Sequence, residues 1–140
     1  MFSDGVVKVL DFGLSKIMLD DENTKITLTS QGVGTYWYLP PETFNEDYPQ
    51  ICEKVDVWSL GVIFFELLYG KKPFGHGSSQ IDVYNRELIL KAYKVDFPHE
   101  TPLKYKVSDS AKDFIRACLR YNQDDRLTPS EAYNHPYLSK

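Results

Sequence analysis

Val55-Asp56-Val57-Trp58-Ser59-Leu60-Gly61-Val62-Ile63-Phe64-Phe65-Glu66-Leu67-Leu68-Tyr69 is the stretch on which the fold turns. Apolar side chains fall on every side of its helical wheel, and a helix that is apolar all round is a buried one. The run is long for a single strand, so length favours a helix. Gly70 supplies a C-terminal stop and Pro73 prevents resumption. The sequence therefore predicts a central helix covered on all sides.

Downstream, three more helices are expected. Ser78-Ser79 precede a segment that places Ile81, Tyr84, Leu88 and Ala92 on one face. Ser108 precedes Ala111, Phe114, Ile115, Cys118 and Leu119, an i, i+3, i+4, i+7, i+8 stripe. Thr128-Pro129-Ser130-Glu131 combines a capping box with proline at the first helical position, opening a short helix through Tyr133. Upstream, Val6-Val7-Lys8-Val9-Leu10 reads as a short strand between Asp4-Gly5 and Asp11-Phe12-Gly13. From Ser15 to Glu53 no helical or strand period is sustained. A stretch of that length inside a compact domain is functional or disordered, and the aromatic–proline run from Tyr36 to Pro41 favours a functional loop. The fold class is mainly α: one short strand, one long loop and at least four helices.

The chain has 140 residues, 42% apolar and 26% charged, which suits one domain with a real core. A net charge of −4 argues against a general nucleic-acid binder, which carries a basic patch. Cys52 and Cys118 make no disulfide framework and show no zinc spacing. His76, His99 and His135 have no ligand spacing and read as surface or packing residues. Met1 is followed by Phe2-Ser3-Asp4-Gly5 rather than a basic and then apolar stretch, and no apolar run approaches the ~20 residues of a membrane span. An intracellular, soluble chain is the expectation.

Asp11-Phe12-Gly13 places a carboxylate after a strand and a glycine at a sharp turn, an arrangement that suits a hard cation such as Mg²⁺. Alone, the tripeptide equally fits an ordinary turn. Its context is more specific: Gly34-Thr35-Tyr36-Trp37-Tyr38-Leu39-Pro40-Pro41-Glu42 follows, then Asp56-Val57-Trp58-Ser59-Leu60-Gly61-Val62, Lys72-Pro73-Phe74 and Asp125-Arg126-Leu127. In order and spacing the chain resembles the C-terminal part of a eukaryotic protein kinase domain, from the DFG motif to its end. Pro40-Pro41-Glu42 stands where most kinases have Ala-Pro-Glu. With Trp37, Leu39 and Tyr69-Gly70-Lys71-Lys72-Pro73-Phe74-Gly75-His76, this resembles the tousled-like serine/threonine kinases.

The resemblance implies a role for each matching position. Asp11 becomes a Mg²⁺ ligand at the ATP phosphates, within the cofactor-contacting Asp11-Phe12-Gly13, and Phe12 a core-packed reporter of loop state. Thr35 becomes a catalytic-site contact or, on a plainer reading, a hydroxyl that satisfies backbone. Tyr36, Trp37, Tyr38 and Leu39 become the wall of a pocket for the substrate residue after the phosphoacceptor, although Tyr38 also suits a core position. Glu42 and Arg126 become an ion pair clamping the activation segment (11–42) to the helical lobe (53–138). Asp56 becomes a carboxylate holding the catalytic loop, and the helix dipole favours an acid there in any case. Thr27, Thr29 and Ser30 fall where kinases are phosphorylated, or are merely solvated hydroxyls; Lys16 and Lys25 are the local cations. The family further implies protein substrates (histone chaperones), a nuclear setting, and no direct contact with nucleic acid or membrane.

No Gly-rich loop, strand lysine or His-Arg-Asp occurs in the chain. The expectation is a partial kinase domain whose nucleotide lobe and catalytic loop lie upstream of Met1 in a parent sequence. Such a chain is expected to transfer no phosphate and to bind neither Mg²⁺ nor ATP alone. The alternative is a truncated, non-catalytic product that binds a partner protein. Val6 to Leu10 is expected to present an unpaired edge, and the central helix an exposed apolar patch that promotes self-association.

Overall fold

A computed structural model describes residues 2–3, 5–13, 15, 26–27, 35–44, 50–99, 101–102 and 104–139. Its elements are mainly helical. Helix α1 (Lys54–Tyr69) forms the centre, with α2 (Gln80–Asn85), α3 (Asp109–Cys118) and α4 (Pro129–Tyr133) following. Among the described residues there are also three short 3-10 turns (Tyr36–Tyr38, Pro41–Phe44 and Gln123–Asp125) and four two-residue strands: β1 (Phe2–Ser3), β2 (Val6–Val7), β3 (Ile26–Thr27) and β4 (Gln50–Ile51).

Helix α1 ends as expected. Gly70 adopts φ +67°, a conformation that costs a residue with Cβ, and its N–H caps the Glu66 carbonyl. Its burial differs from expectation. Val57, Trp58, Gly61, Val62, Phe65 and Tyr69 are buried, but Leu60, Ile63 and Leu67 form an exposed i, i+3, i+7 stripe. Helix α3 crosses the buried side closely: a Cβ on Gly61 would lie 2.7 Å from Cys118 Cβ and 3.0 Å from the Leu119 side chain. Only glycine permits that approach. Around the crossing, Trp58, Val62, Phe65, Ile89, Val107, Ala111 and Ile115 build the main core, and Val57, Phe114, Cys118 and Ala132 a second one.

The capping box predicted at Thr128 is present, and α3 carries a cap of its own. The Ser108 hydroxyl accepts from Ala111 N, and Thr128 with Glu131 closes a full capping box ahead of Pro129. The helix expected over 81–92 is much shorter. A Ser79–Asp82 capping box starts α2, but Glu87 takes φ +55°, which no right-handed helix can accommodate. The chain continues to Lys91 in turns. The buried face changes accordingly: Val83, Ile89 and Ala92 point inward while Ile81 and Tyr84 are exposed.

The N-terminal strand also differs. Only Val6–Val7 is extended, and it is paired: β1 and β2 form an antiparallel hairpin with Phe2 opposite Val7 and Ser3 opposite Val6. The ladder stops after Val7 because β1 offers two residues. A second pairing joins the long loop to the helical body, with Ile26 opposite Ile51 and Thr27 opposite Gln50. Thr29, Ser30, Lys16 and Lys25 lie outside the described residues. No described helix is long and apolar enough to cross a membrane.

Candidate active site and docking surface

Asp11 follows the hairpin in a left-handed conformation, φ +65°, and its Oδ1 accepts the Gly13 N–H at 3.2 Å. Aspartate tolerates that region because its short carboxylate satisfies the local backbone. The carboxylate is exposed. Among the described residues no three His, Cys, Asp or Glu groups gather as a metal site. A lone exposed carboxylate nevertheless fits Mg²⁺ as one ligand, since that ion keeps waters and substrate phosphates around one or two carboxylates. Phe12 does not pack in the core: it is 69% exposed, with Val9 and Leu10 also open to solvent. A hairpin this small has no second layer to cover them.

The most ordered part of the candidate site is the aromatic run. Tyr36–Tyr38 forms a single 3-10 turn entered from Thr35, whose side chain is exposed and does not cap it. The Ser59 hydroxyl of α1 donates to the Tyr38 carbonyl at 2.8 Å, fixing the turn to the central helix. Tyr36 meets Phe44 edge-on at 5.7 Å and Tyr84 at 5.8 Å. Phe44 and Tyr84 also line a hollow of about 230 Å³ with Val83, Ile89 and Leu90. Trp37 Nε1 donates to the Gly75 carbonyl at 3.0 Å. Tyr38 donates its hydroxyl to Glu66 Oε2 at 2.7 Å, and Lys72 Nζ reaches Glu66 Oε1 at 3.1 Å. Burial and the Glu66 carboxylate push the Tyr38 hydroxyl up to about 12, while the Tyr38 hydrogen bond and then Lys72 hold Glu66 below the ordinary carboxylate range.

Behind the turn, Glu42 meets Arg126 in a bidentate pair, Nη1 to Oε1 at 2.7 Å and Nη2 to Oε2 at 3.0 Å. Arg126 is 2% exposed, yet fully satisfied: it also donates to the carbonyls of Arg120, Lys54 and Tyr121, and lies 5.0 Å over the Trp58 ring. Trp58 in turn stacks on Phe74 at 5.6 Å. Three stretches of chain thus converge on one guanidinium. Asp56, in the first turn of α1, accepts no side-chain hydrogen bond among the described residues, and desolvation raises its carboxyl above the ordinary range.

The structure therefore brings Tyr36, Trp37, Tyr38 and Leu39 together with Glu42 and Arg126 around α1, whereas Asp11, Phe12 and Gly13 follow the N-terminal hairpin. The protein kinase domain family profile matches residues 1–138. The chain belongs to the protein kinase domain family. It is 54% identical over 138 residues to the serine/threonine-protein kinase tousled-like 1 of Mus musculus, covering 96% of this chain and 18% of that protein. It is 52% identical over 137 residues to the serine/threonine-protein kinase TOUSLED of Arabidopsis thaliana, covering 96% of this chain and 20% of the relative. The tousled-like 1 kinase of Caenorhabditis elegans is 50% identical over 136 residues, 95% of this chain and 14% of the relative. The chain thus spans a fifth or less of the length of these serine/threonine kinases.

Glu66 and Lys72 are the site residues that sequence reading missed. Their six-residue separation spans the end of α1 and matches no periodic contact. Lys72 falls within the Tyr69–His76 run, whereas Glu66 is marked only as the one charge in the otherwise apolar second half of the central helix.

Proposed function

We propose that this chain is the activation-segment and helical-lobe portion of an ATP- and Mg²⁺-dependent serine/threonine kinase. The observation that carries the reading is the buried Glu42–Arg126 pair. It ties the end of the 11–42 segment to the helical body just where the Tyr36–Tyr38 turn is presented, as a protein-docking surface requires. In this reading Asp11 holds Mg²⁺, which when bound offsets the charge of the ATP phosphates. Gly13 N–H orients the Asp11 carboxylate through its 3.2 Å hydrogen bond. Thr35 stands at the entry to the docking turn, and Tyr36 to Leu39 receive the substrate residue beside the acceptor hydroxyl. Asp56, desolvated without a partner among the described residues, is poised to hold a backbone supplied by the catalytic loop. Thr27, Thr29 and Ser30 are the proposed sites of activating phosphorylation. The tousled-like resemblance supports extending the proposal to nuclear histone-chaperone substrates.

No Gly-rich loop, strand lysine or His-Arg-Asp occurs in these residues, so by themselves they are expected to transfer no phosphate. Purified chain with Mg-ATP and a generic protein substrate is expected to incorporate no label above a heat-killed control. Label that disappears in Asp11→Ala would overturn this. The same residues, grafted in place of the corresponding segment of the mouse tousled-like 1 kinase, are expected to support phosphotransfer that Asp11→Ala abolishes. A second reading, a non-catalytic protein-binding module, is favoured by the exposed Leu60–Ile63–Leu67 stripe. Grafted enzyme without activity, together with saturable protein binding that Leu67→Lys removes, would favour it.

A further inference from the structure

The docking turn is held by a polar cluster that the kinase reading leaves without a task. Glu66 lies in the last turn of α1, and Lys72 lies beyond the left-handed Gly70 that turns the chain back. Lys72 Nζ sits 3.1 Å from Glu66 Oε1, 5.2 Å from the centre of the Trp37 ring and 5.8 Å from that of Tyr38. Its backbone N–H donates to His76 Nδ1 at 3.2 Å, and the same loop offers the Gly75 carbonyl to Trp37. The ammonium is therefore fixed on three sides. Both Glu66 oxygens are filled from within the chain, one by Tyr38 and one by Lys72. The Glu66 side chain is nonetheless a third exposed and the Lys72 side chain about a quarter, so the cluster forms part of the surface.

We propose that Lys72 is a specificity-determining residue: by neutralising Glu66 and covering the Trp37 and Tyr38 faces, it denies basic residues flanking the phosphoacceptor a partner on the docking turn. The proposal rests on the reading of Tyr36 to Leu39 as the docking surface. Its physical content is charge closure. With Lys72 in place, a substrate segment meets an aromatic surface of no net charge. Without it, an ionised carboxylate stands partly exposed beside two ring edges, a setting that draws an arginine both as an ion pair and over an aromatic face.

The test uses the mouse tousled-like 1 kinase domain carrying this chain's residues in the corresponding segment. Fluorescence anisotropy is measured with two labelled serine peptides, one with alanine and one with arginine beside the acceptor. The parent graft is expected to bind both equally. Lys72→Met is expected to favour the arginine peptide about fivefold, the upper end for a partly exposed ion pair. That preference should fade with added salt and vanish in the Lys72→Met/Glu66→Gln double variant. Lys72→Arg restores the charge and should bind both peptides equally again. Lys72→Gln, which keeps a polar head, repeats the test if the methionine variant fails to fold. Equal preference in parent and in a folded Lys72→Met or Lys72→Gln variant overturns the proposal, as does an arginine preference that survives Glu66→Gln. Binding is read without catalysis, so loss of phosphotransfer in the graft counts against the kinase reading and leaves the clamp decided by anisotropy.

Discussion

The surroundings of Arg126 and the segment around Asp11 carry the two ends of the proposed activation segment, yet they are built in opposite ways. Arg126 is buried, with hydrogen bonds to the Glu42 carboxylate and to three backbone carbonyls and with Trp58 beneath it. Asp11 sits beyond a hairpin of two residue pairs, exposed, with one hydrogen bond to Gly13 and neighbours open to water. A charge survives burial only when everything around it is satisfied. The Glu42 end is therefore committed to one geometry by the chain itself, while the Asp11 end takes its geometry from local turn chemistry alone.

The largest expected effect tests that contrast directly. Arg126→Ala or Glu42→Ala leaves the opposite charge buried and uncompensated, and should cost ~3–5 kcal/mol in urea unfolding. Phe12→Ala, on the exposed side, should stay within ~0.5 kcal/mol. Equal losses at the two positions would break the comparison. Next comes Gly61→Val, which drives a side chain into Cys118 and Leu119 at the α1–α3 crossing. Overpacking there should cost ~1–3 kcal/mol, and a neutral result would show that the crossing can slide.

A smaller effect on stability, but a plain one on association, is expected from the exposed stripe. Leu60→Ser combined with Leu67→Ser should change unfolding by under ~1 kcal/mol, at the ~0.5 kcal/mol usual for one surface substitution. The same pair should lower ANS fluorescence and shift the sedimentation of the isolated chain toward monomer. Unchanged sedimentation would mean that the hairpin end, with Val9, Leu10 and Phe12, is the sticky surface instead. The smallest effect is electrostatic. Glu66 has its pKa lowered in the fold, so its contribution to stability is present above the ordinary carboxylate value of ~4.3 and is lost as pH falls through the lowered one. Tyr38 is raised to about 12, so its contribution holds below pH 10.0 and is lost on rising toward 12. Glu66→Gln should bring the Tyr38 phenolate transition down toward its ordinary value in an absorbance titration, and an unmoved transition would put burial alone in charge.

How far these features were legible depends on the range over which each is encoded. Helix α1, its Gly70 stop and the Thr128 capping box are written in neighbouring residues, and they stand as read. The inward face of α2 was not legible, because Glu87 breaks the helix and shifts burial from Ile81 and Tyr84 to Val83 and Ile89. The β1–β2 hairpin was missed because Phe2-Ser3 carries no strand pattern of its own. The helical lobe's burial was overestimated on one side, since apolar residues on a wheel announce a need for cover without saying what covers them. The Glu42–Arg126 contact came from family resemblance rather than spacing, and the Tyr38–Glu66–Lys72 cluster had no pattern to betray it.

The separation of Glu42 from Arg126 also has a consequence in time. Their 84 positions mean that a ribosome adding about 5–20 residues each second delivers the guanidinium roughly 4–17 s after the carboxylate. Throughout that interval the nascent polypeptide holds the aromatic turn with its anchor missing, although α1 and then α3 are completed within it. A chaperone therefore has its binding window here, before Arg126 emerges and the lock closes.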